Sequence, residues 1–367
     1  MATDTRIRRI GVLTGGGDCP GLNAVIRAVV KTGIFEFGLE AFGILDGYDG
    51  LVRNRMIPLT ESDVSGILTV GGTILGSSNT AHPFKYVAQG AGGSEPQDLS
   101  DRCVENLRNA GIDVLFCIGG DGTLSIAHDL AAKGIRVVGV PKTIDNDICG
   151  TDVTFGFDTA VHIVAEAVDR LHTTAMSHHR AMVLETMGRH AGWLALVGGM
   201  AGGGDIILIP EIAYRMERVF EVVEDRARRG KRFSIIVVAE GVRLPGGEYV
   251  IRQEVADTHH KMRLGGIGVW MAHEIDAATA TESRAVVLGH MQRGGTPTAC
   301  DRVLATQFGH AALVEAMEGH TDVMVGRKGT RIVPVPLSHV ANRQRLVEPD
   351  SQIVRAARAV GTSFGDE

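Results

Sequence analysis

Short apolar runs rich in β-branched residues, each stopped by glycine or proline, alternate along the chain with stretches whose apolar positions fall at helical spacing. Residues 10–14 (IGVLT) predict a first strand, followed by the glycine turn 15–21 and an amphipathic helix over about 22–31. A second strand–helix unit begins at 41–45, passes through 46–50 and reaches a glycine-bounded turn at 71–79. Residues 88–100 are polar and glycine-rich and read as a flexible surface loop. A helix over about 99–110 leads into 112–118 (IDVLFCI), the clearest strand in the chain. That strand ends in 119–123 (GGDGT), with a helix expected from Leu124. Residues 135–140 form another buried strand, closed by Pro141.

The second half repeats the pattern. A long helix is expected over 159–175, strands at 181–185, 206–209 and 235–239, and a hairpin or excursion over 244–260. A helix over 264–278 precedes a strand 284–290, with Arg284 at its start and His290 at its end. From 299 onward the pattern is mainly helical, with one strand near 331–335. Strands alternating with helices predict an α/β protein with mainly parallel sheets and helices on both faces.

Length and composition narrow the class. A chain of 367 residues accommodates two domains. An apolar share of 44% and a charged share of 22% are ordinary for a soluble protein, and a net charge of −6 speaks against a nucleic-acid-binding surface. Five widely spaced cysteines without a CxxC pair fit a reducing compartment and offer no metal framework. With no signal-peptide core and no bilayer-spanning stretch, a cytoplasmic location and no membrane partner are expected.

The chemistry concentrates at strand ends. Strand, glycine turn and helix at 10–31 and 112–124 are the arrangement in which backbone N–H groups and a helix N-terminus hold a phosphate. Neither turn is a Walker A loop or GxGxxG, and a plain connecting turn would look the same at the first. Asp121 in the second turn can reach magnesium, a hard cation that prefers oxygen. The stretch 141–148 (PKTIDNDI) places Thr143, Asp145 and Asp147 just past a strand. If the segment is extended, the two carboxylates share one side, as a base and a metal ligand or as two metal ligands. An Asx-rich turn is the competing reading. Arg180, Arg189, Arg284 and Arg293 each lie beside a strand end or glycine turn, and arginine forks match phosphate geometry. His178, His179 and His190 lack an acidic partner at helical spacing, so a metal site there is disfavoured. A polyphosphate with magnesium in one half and a phosphorylated acceptor in the other describe a sugar-phosphate kinase.

Taken together and in order, TGGGDCPGLN (14–23), GGTILGSS (71–78), GGDGTL (119–124), PKTIDND (141–147), SHHR (177–180), ETMGRHAG (185–192), AEG (239–241) and RAVVLGHMQRGGTP (284–297) resemble the phosphofructokinase A family. The resemblance implies two Rossmann-like doubly wound domains, discontinuous in sequence. Residues 1–156 plus about 290–340 would bind the donor, and 157–289 plus about 341–367 the sugar phosphate. It implies ATP, Mg²⁺ and fructose 6-phosphate as ligands, and a homo-oligomer, a tetramer built from dimers. Asp145 would be the base at the 1-hydroxyl, with Thr143 and Lys142 beside the transferring group. Gly17, Asn79, Gly120, Asp121, Gly122 and Thr123 would hold the donor, with Asp121 on the metal and Asp147 nearby. Met187, Gly188, Arg189, Glu240, His290 and Arg293 would bind the sugar phosphate, with Arg180 and Arg284 supplied by a neighbouring subunit.

Two positions of the family bear on the donor. Gly122 leaves open the space that an aspartate takes in pyrophosphate users, whereas Lys142 is the residue that pyrophosphate users carry. The pyrophosphate-dependent enzyme is therefore the alternative to the ATP-dependent one. Retention of Asp121, Asp145 and Arg180 together argues against a catalytically silent nucleotide- or phosphosugar-binding module, and a relative of the NAD and lipid kinases through GGDG leaves MGRHAG and GHMQRGG unexplained. By the same resemblance, the family's basic effector positions are matched by Arg27 and Lys31, while Glu61 stands at a third. Asn79 stands where ATP-using bacterial members carry arginine, a loss of charge against the donor phosphates. Asn79→Arg is accordingly expected to lower the KM for ATP in steady-state assays, and an unchanged or higher value would count against that role.

Overall fold

The computed structural model describes residues 7–87, 95–254 and 262–367. Thirteen strands run through the described residues: β1 (Arg9–Thr14), β2 (Glu40–Ile44), β3 (Met56–Leu59), β4 (Val114–Gly119), β5 (Val137–Pro141), β6 (Ala181–Thr186), β7 (Ile206–Leu208), β8 (Ser234–Ala239), β9 (Ile251–Glu254), β10 (Met262–Leu264), β11 (Ser283–Val287), β12 (Val323–Lys328) and β13 (Arg331–Pro336). They divide between two compact units. The first comprises Met1–Thr143, Ile148–Asp158 and Arg293–Gln344, and the second Ile144–Asp147, Thr159–Gln292 and Arg345–Glu367.

The first unit carries a seven-stranded sheet in the order β13-β12-β5-β4-β1-β2-β3. Its middle is parallel from β12 to β2, and only β3 and β13 run antiparallel to their neighbours. All six residues of β4 are buried, the signature of a parallel strand covered on both faces. Leu13, Leu115, Leu124, Leu130 and Val137 belong to one core. Helix Leu22–Phe37 packs along helix Ala299–Met317.

The second unit holds a parallel sheet in the order β11-β6-β8-β7 and an antiparallel β9–β10 hairpin. β6 and β8 are buried throughout, whereas edge strand β11 is partly exposed. Glu185, near the end of β6, fastens this sheet to helix Ile267–Ala278. Its carboxylate accepts from Gly266 N at 3.0 Å and from Gly268 N at 2.8 Å. Gly266 is the N-cap and has no side chain, so a carboxylate 81 residues away supplies the negative charge that a helix N-terminus favours.

The α/β class expected from the alternation holds, with mainly parallel sheets. Several boundaries differ, each for a local reason. The helix expected from Leu124 begins at Asp121, which moves Asp121, Gly122 and Thr123 into its first turn. The strand expected over 284–290 stops at Val287. Gly289, with φ 51°, opens a tight turn Gly289–Arg293 that carries His290. β3 was not expected: it is four residues long, mostly exposed and contains Pro58, as an edge strand tolerates. β12 was missed as well, so the strand expected near 331–335 is the second arm of a hairpin. Residues 88–94 of the polar loop, 255–260 of the excursion, Lys261 and the first six residues lie outside the described residues.

Candidate active site

At the carboxyl end of β1 the glycine turn is fastened to the end of β4 and to the turn at Ser77 and Ser78. Gly15 N donates to Ile118 O at 2.9 Å and Gly16 N to Ser78 O at 3.1 Å. Ser77 Oγ donates back to Gly16 O at 2.5 Å. A Cβ on Gly15 would lie 2.6 Å from Thr123 Oγ1, so glycine there lets the two loops close on each other. The predicted donor segments at 15–17, 77–79 and 119–123 therefore meet, with Asn79 exposed beside them. Ser77 lies within the GGTILGSS segment but is assigned no role of its own by the sequence.

Helix Asp121–Ala132 starts from Gly120, which offers no side-chain cap to the first turn. Such an N-terminus can receive an anion. Around Gly122 a Cβ would meet nothing within 4 Å, so that side of the turn is open. Asp121 is half-buried, and Ser125 Oγ donates to its carbonyl at 2.9 Å and lies 3.5 Å from its Oδ1. A carboxylate with a hydroxyl nearby is an oxygen set that suits Mg²⁺.

Lys142 is 3% exposed, and its ammonium donates to Gly17 O beneath the glycine turn. Arg293, expected on the sugar phosphate, lies in the first unit against the same turn. Its Nη1 donates to Asp18 O at 3.1 Å and sits 2.8 Å from where a Cβ on Gly17 would be. Two cations thus flank a turn of bare backbone. Burial pushes the Cys19 thiol in this turn up to about 12, which makes it unreactive.

The stretch after β5 does not run extended. It bends at Ile144 and Asp145, and Asn146 adopts a left-handed conformation with φ 53°. Alternation of side chains cannot be carried across such a residue, so the expectation that Asp145 and Asp147 share one side is withdrawn. Asparagine tolerates this conformation better than most residues, which favours the turn reading of the local backbone. Thr143 O accepts from Thr154 Oγ1 at 2.7 Å in the first unit. In the second unit, Arg345 N donates to Asp147 O at 2.7 Å.

The remaining predicted residues lie at two opposite edges of the second sheet. Met187, Gly188 and Arg189 follow the carboxyl end of β6, Glu240 that of β8, and His290 comes after β11. Gln292 ties this edge together: its Oε1 accepts from Met187 N at 3.2 Å and its Nε2 donates to Gly289 O at 3.0 Å. Gly241 N donates to Gly188 O at 3.0 Å, and a Cβ on Gly241 would fall 2.0 Å from Arg189 O, so only glycine fits. Arg180 and Arg284 sit at the amino ends of β6 and β11. Both hold Glu282, Arg180 through Nε at 2.8 Å and Arg284 through Nη2. His178 and His179 share that edge and His190 follows the other, so the three do not gather.

Arg180, and after it Arg284, hold the Glu282 carboxyl below the usual carboxylate range. A lowered value means that the carboxylate stabilises the fold above its ordinary 4.5, and that this contribution is lost as the pH falls through the lowered value. The unfolding midpoints of the native chain and of Glu282→Gln should therefore differ by a constant amount near neutrality and converge on acidification. A gap that widens in acid would contradict the pairing.

Comparison with known proteins places this geometry. The Phosphofructokinase family model matches residues 9–316. The ATP-dependent 6-phosphofructokinase of Chloroflexus aurantiacus is 50% identical over 98% of this chain and 98% of its own length. The pyrophosphate–fructose 6-phosphate 1-phosphotransferase of Amycolatopsis methanolica is 53% identical over 93% of this chain and 97% of its own. Among solved structures, Pichia pastoris phosphofructokinase in the T-state superposes with a TM-score of 0.78 at 30% identity. That match covers 98% of this chain but 37% of the longer one. A match over nearly the whole chain, on a fold whose glycine turns and parallel strand ends carry the motif residues, makes this chain a member of the phosphofructokinase family.

Proposed function

We propose that the chain transfers the terminal phosphoryl group of ATP to the 1-hydroxyl of fructose 6-phosphate, giving fructose 1,6-bisphosphate and ADP. The first unit holds the donor and the second the acceptor. Asp145 takes the hydroxyl proton, a task that contributes about 10²–10⁴-fold. Gly17, Gly120 and Thr123 hold donor phosphates through backbone and hydroxyl groups, and Lys142 brings positive charge beneath them. Asp121 would hold Mg²⁺, which supplies charge neutralisation on the polyphosphate. Met187, Arg189, Glu240 and His290 bind the sugar phosphate.

The open space at Gly122 is the observation that carries the choice of ATP, because nothing there obstructs a donor larger than pyrophosphate. The buried Lys142 and the Amycolatopsis relative favour pyrophosphate as the second reading. Assays of fructose 1,6-bisphosphate formation, run in parallel with each donor, decide between them. Turnover with ATP is expected. Gly122→Asp, which puts a carboxylate into the open space, should lower kcat/KM for ATP at least tenfold, about 1.4 kcal/mol. Turnover with pyrophosphate alone would overturn the donor assignment.

The two edges of the second sheet support an oligomer. β6 has six residues, so Arg180 and Met187 are roughly 20 Å apart at about 3.3 Å per residue, beyond the reach of an arginine. Arg180 and Arg284 can then serve an acceptor only on another copy, which makes the active enzyme a homo-oligomer, a tetramer in our reading. Mixing inactive Arg180→Ala with inactive Asp145→Ser subunits is expected to restore activity, since hybrid sites would carry both native residues. Mixtures no more active than the parents would argue against a shared site.

A further inference from the structure

The second unit contains a strap that the motif residues do not account for. Segment 345–347 enters this unit beside Ile144–Asp147. Arg345 N donates to Asp147 O at 2.7 Å, and Arg345 Nη1 donates to Asn146 O at 3.3 Å. The Arg345 guanidinium carbon lies 4.4 Å from the centre of the Trp193 ring, a stacked cation–π contact. Trp193 Nε1 donates back to Arg345 O at 2.9 Å, closing a ring of contacts. Two residues on, Val347 N donates to Glu211 Oε1 at 2.9 Å, and the same carboxylate accepts from Gly192 N. Burial pushes the Glu211 carboxyl up against the opposing pull of those two N–H groups.

Each end of the strap lands on a functional turn. Asn146 is 4% exposed and left-handed, a conformation that its surroundings must enforce. It directly follows Asp145. Gly192 and Trp193 begin helix Trp193–Gly202, immediately after the turn that carries Met187, Gly188 and Arg189. We infer that Arg345 is a positioning residue for phosphoryl transfer. Through the Asn146 carbonyl it fixes the bend that aims Asp145, and through Trp193 it locks that bend to the acceptor-binding turn. This inference rests on Asp145 being the base. The arginine fork and the indole suit the task because both are planar and rigid, so the stack sets an orientation that a lysine cannot copy.

Steady-state kinetics of the full chain test it with Arg345→Lys, Trp193→Phe, Asp145→Ser and the double variant Arg345→Lys/Asp145→Ser, each checked by thermal unfolding. Arg345→Lys should lower kcat roughly 10- to 100-fold, the cost of a misplaced catalytic group, with KM for both substrates nearly unchanged. Trp193→Phe keeps a ring but not the N–H and should show a smaller loss of the same kind. It carries the test if Arg345→Lys does not fold. In the Asp145→Ser background Arg345→Lys should cost little more, because both act on one step. A native kcat with only a lowered unfolding midpoint, or losses that multiply in the double variant, would overturn the positioning role. Full turnover by Asp145→Ser alone would instead overturn the base assignment, and the inference with it.

Discussion

Parallel pairing of β1 with β4 and of β4 with β5 is the constraint on which the meeting of the first unit's turns depends. Parallel neighbours cannot be joined by a hairpin, so each strand must hand its carboxyl end to a turn that leads away. Those turns begin at the same edge of the sheet, and ligands of such sheets bind there. The register aligns Thr14 with Ile118 and Gly119 with Pro141, so the glycine turn, the Gly120–Thr123 turn and Lys142 all leave at one level. Bare glycines then let these turns touch, as Gly15 does against Thr123.

Charge is distributed around this edge by burial as much as by residue type. Lys142 is nearly inaccessible and is oriented by the Gly17 carbonyl. A buried ammonium needs such partners to offset its desolvation. Arg293 flanks the same turn from the far end of the chain. Two cations thus flank the glycine turn although the whole chain carries a net charge of −6.

In the second unit the same parallel geometry separates the predicted residues instead of gathering them. Residues before a strand and residues after it stand at opposite edges, so the Arg180–Glu282–Arg284 cluster and the turn at Met187–Arg189 are two distinct surfaces. Sharing one carboxylate holds both guanidinium groups in place, even though exposed pairs of this kind add little stability.

The sequence by itself determined the class of fold and the identity of the chemistry. Apolar runs such as 112–118 and 235–239 can be satisfied only as buried strands, and glycines directly after strands announce close backbone turns. Local physics also accounts for the turn-forming character of Asp145–Asn146–Asp147. Tertiary structure alone decided the rest. The carbonyl of left-handed Asn146 accepts from Arg345, about 200 positions away. Glu185, read only as part of a motif, caps a helix that begins 81 residues later. β3 and β12 are placed by pairing with β2 and β5. Periodicity and composition act within about ten residues. Caps, stacks and edge pairing join residues that meet only after the chain has folded, and that is why those features could not be read from the order of residues.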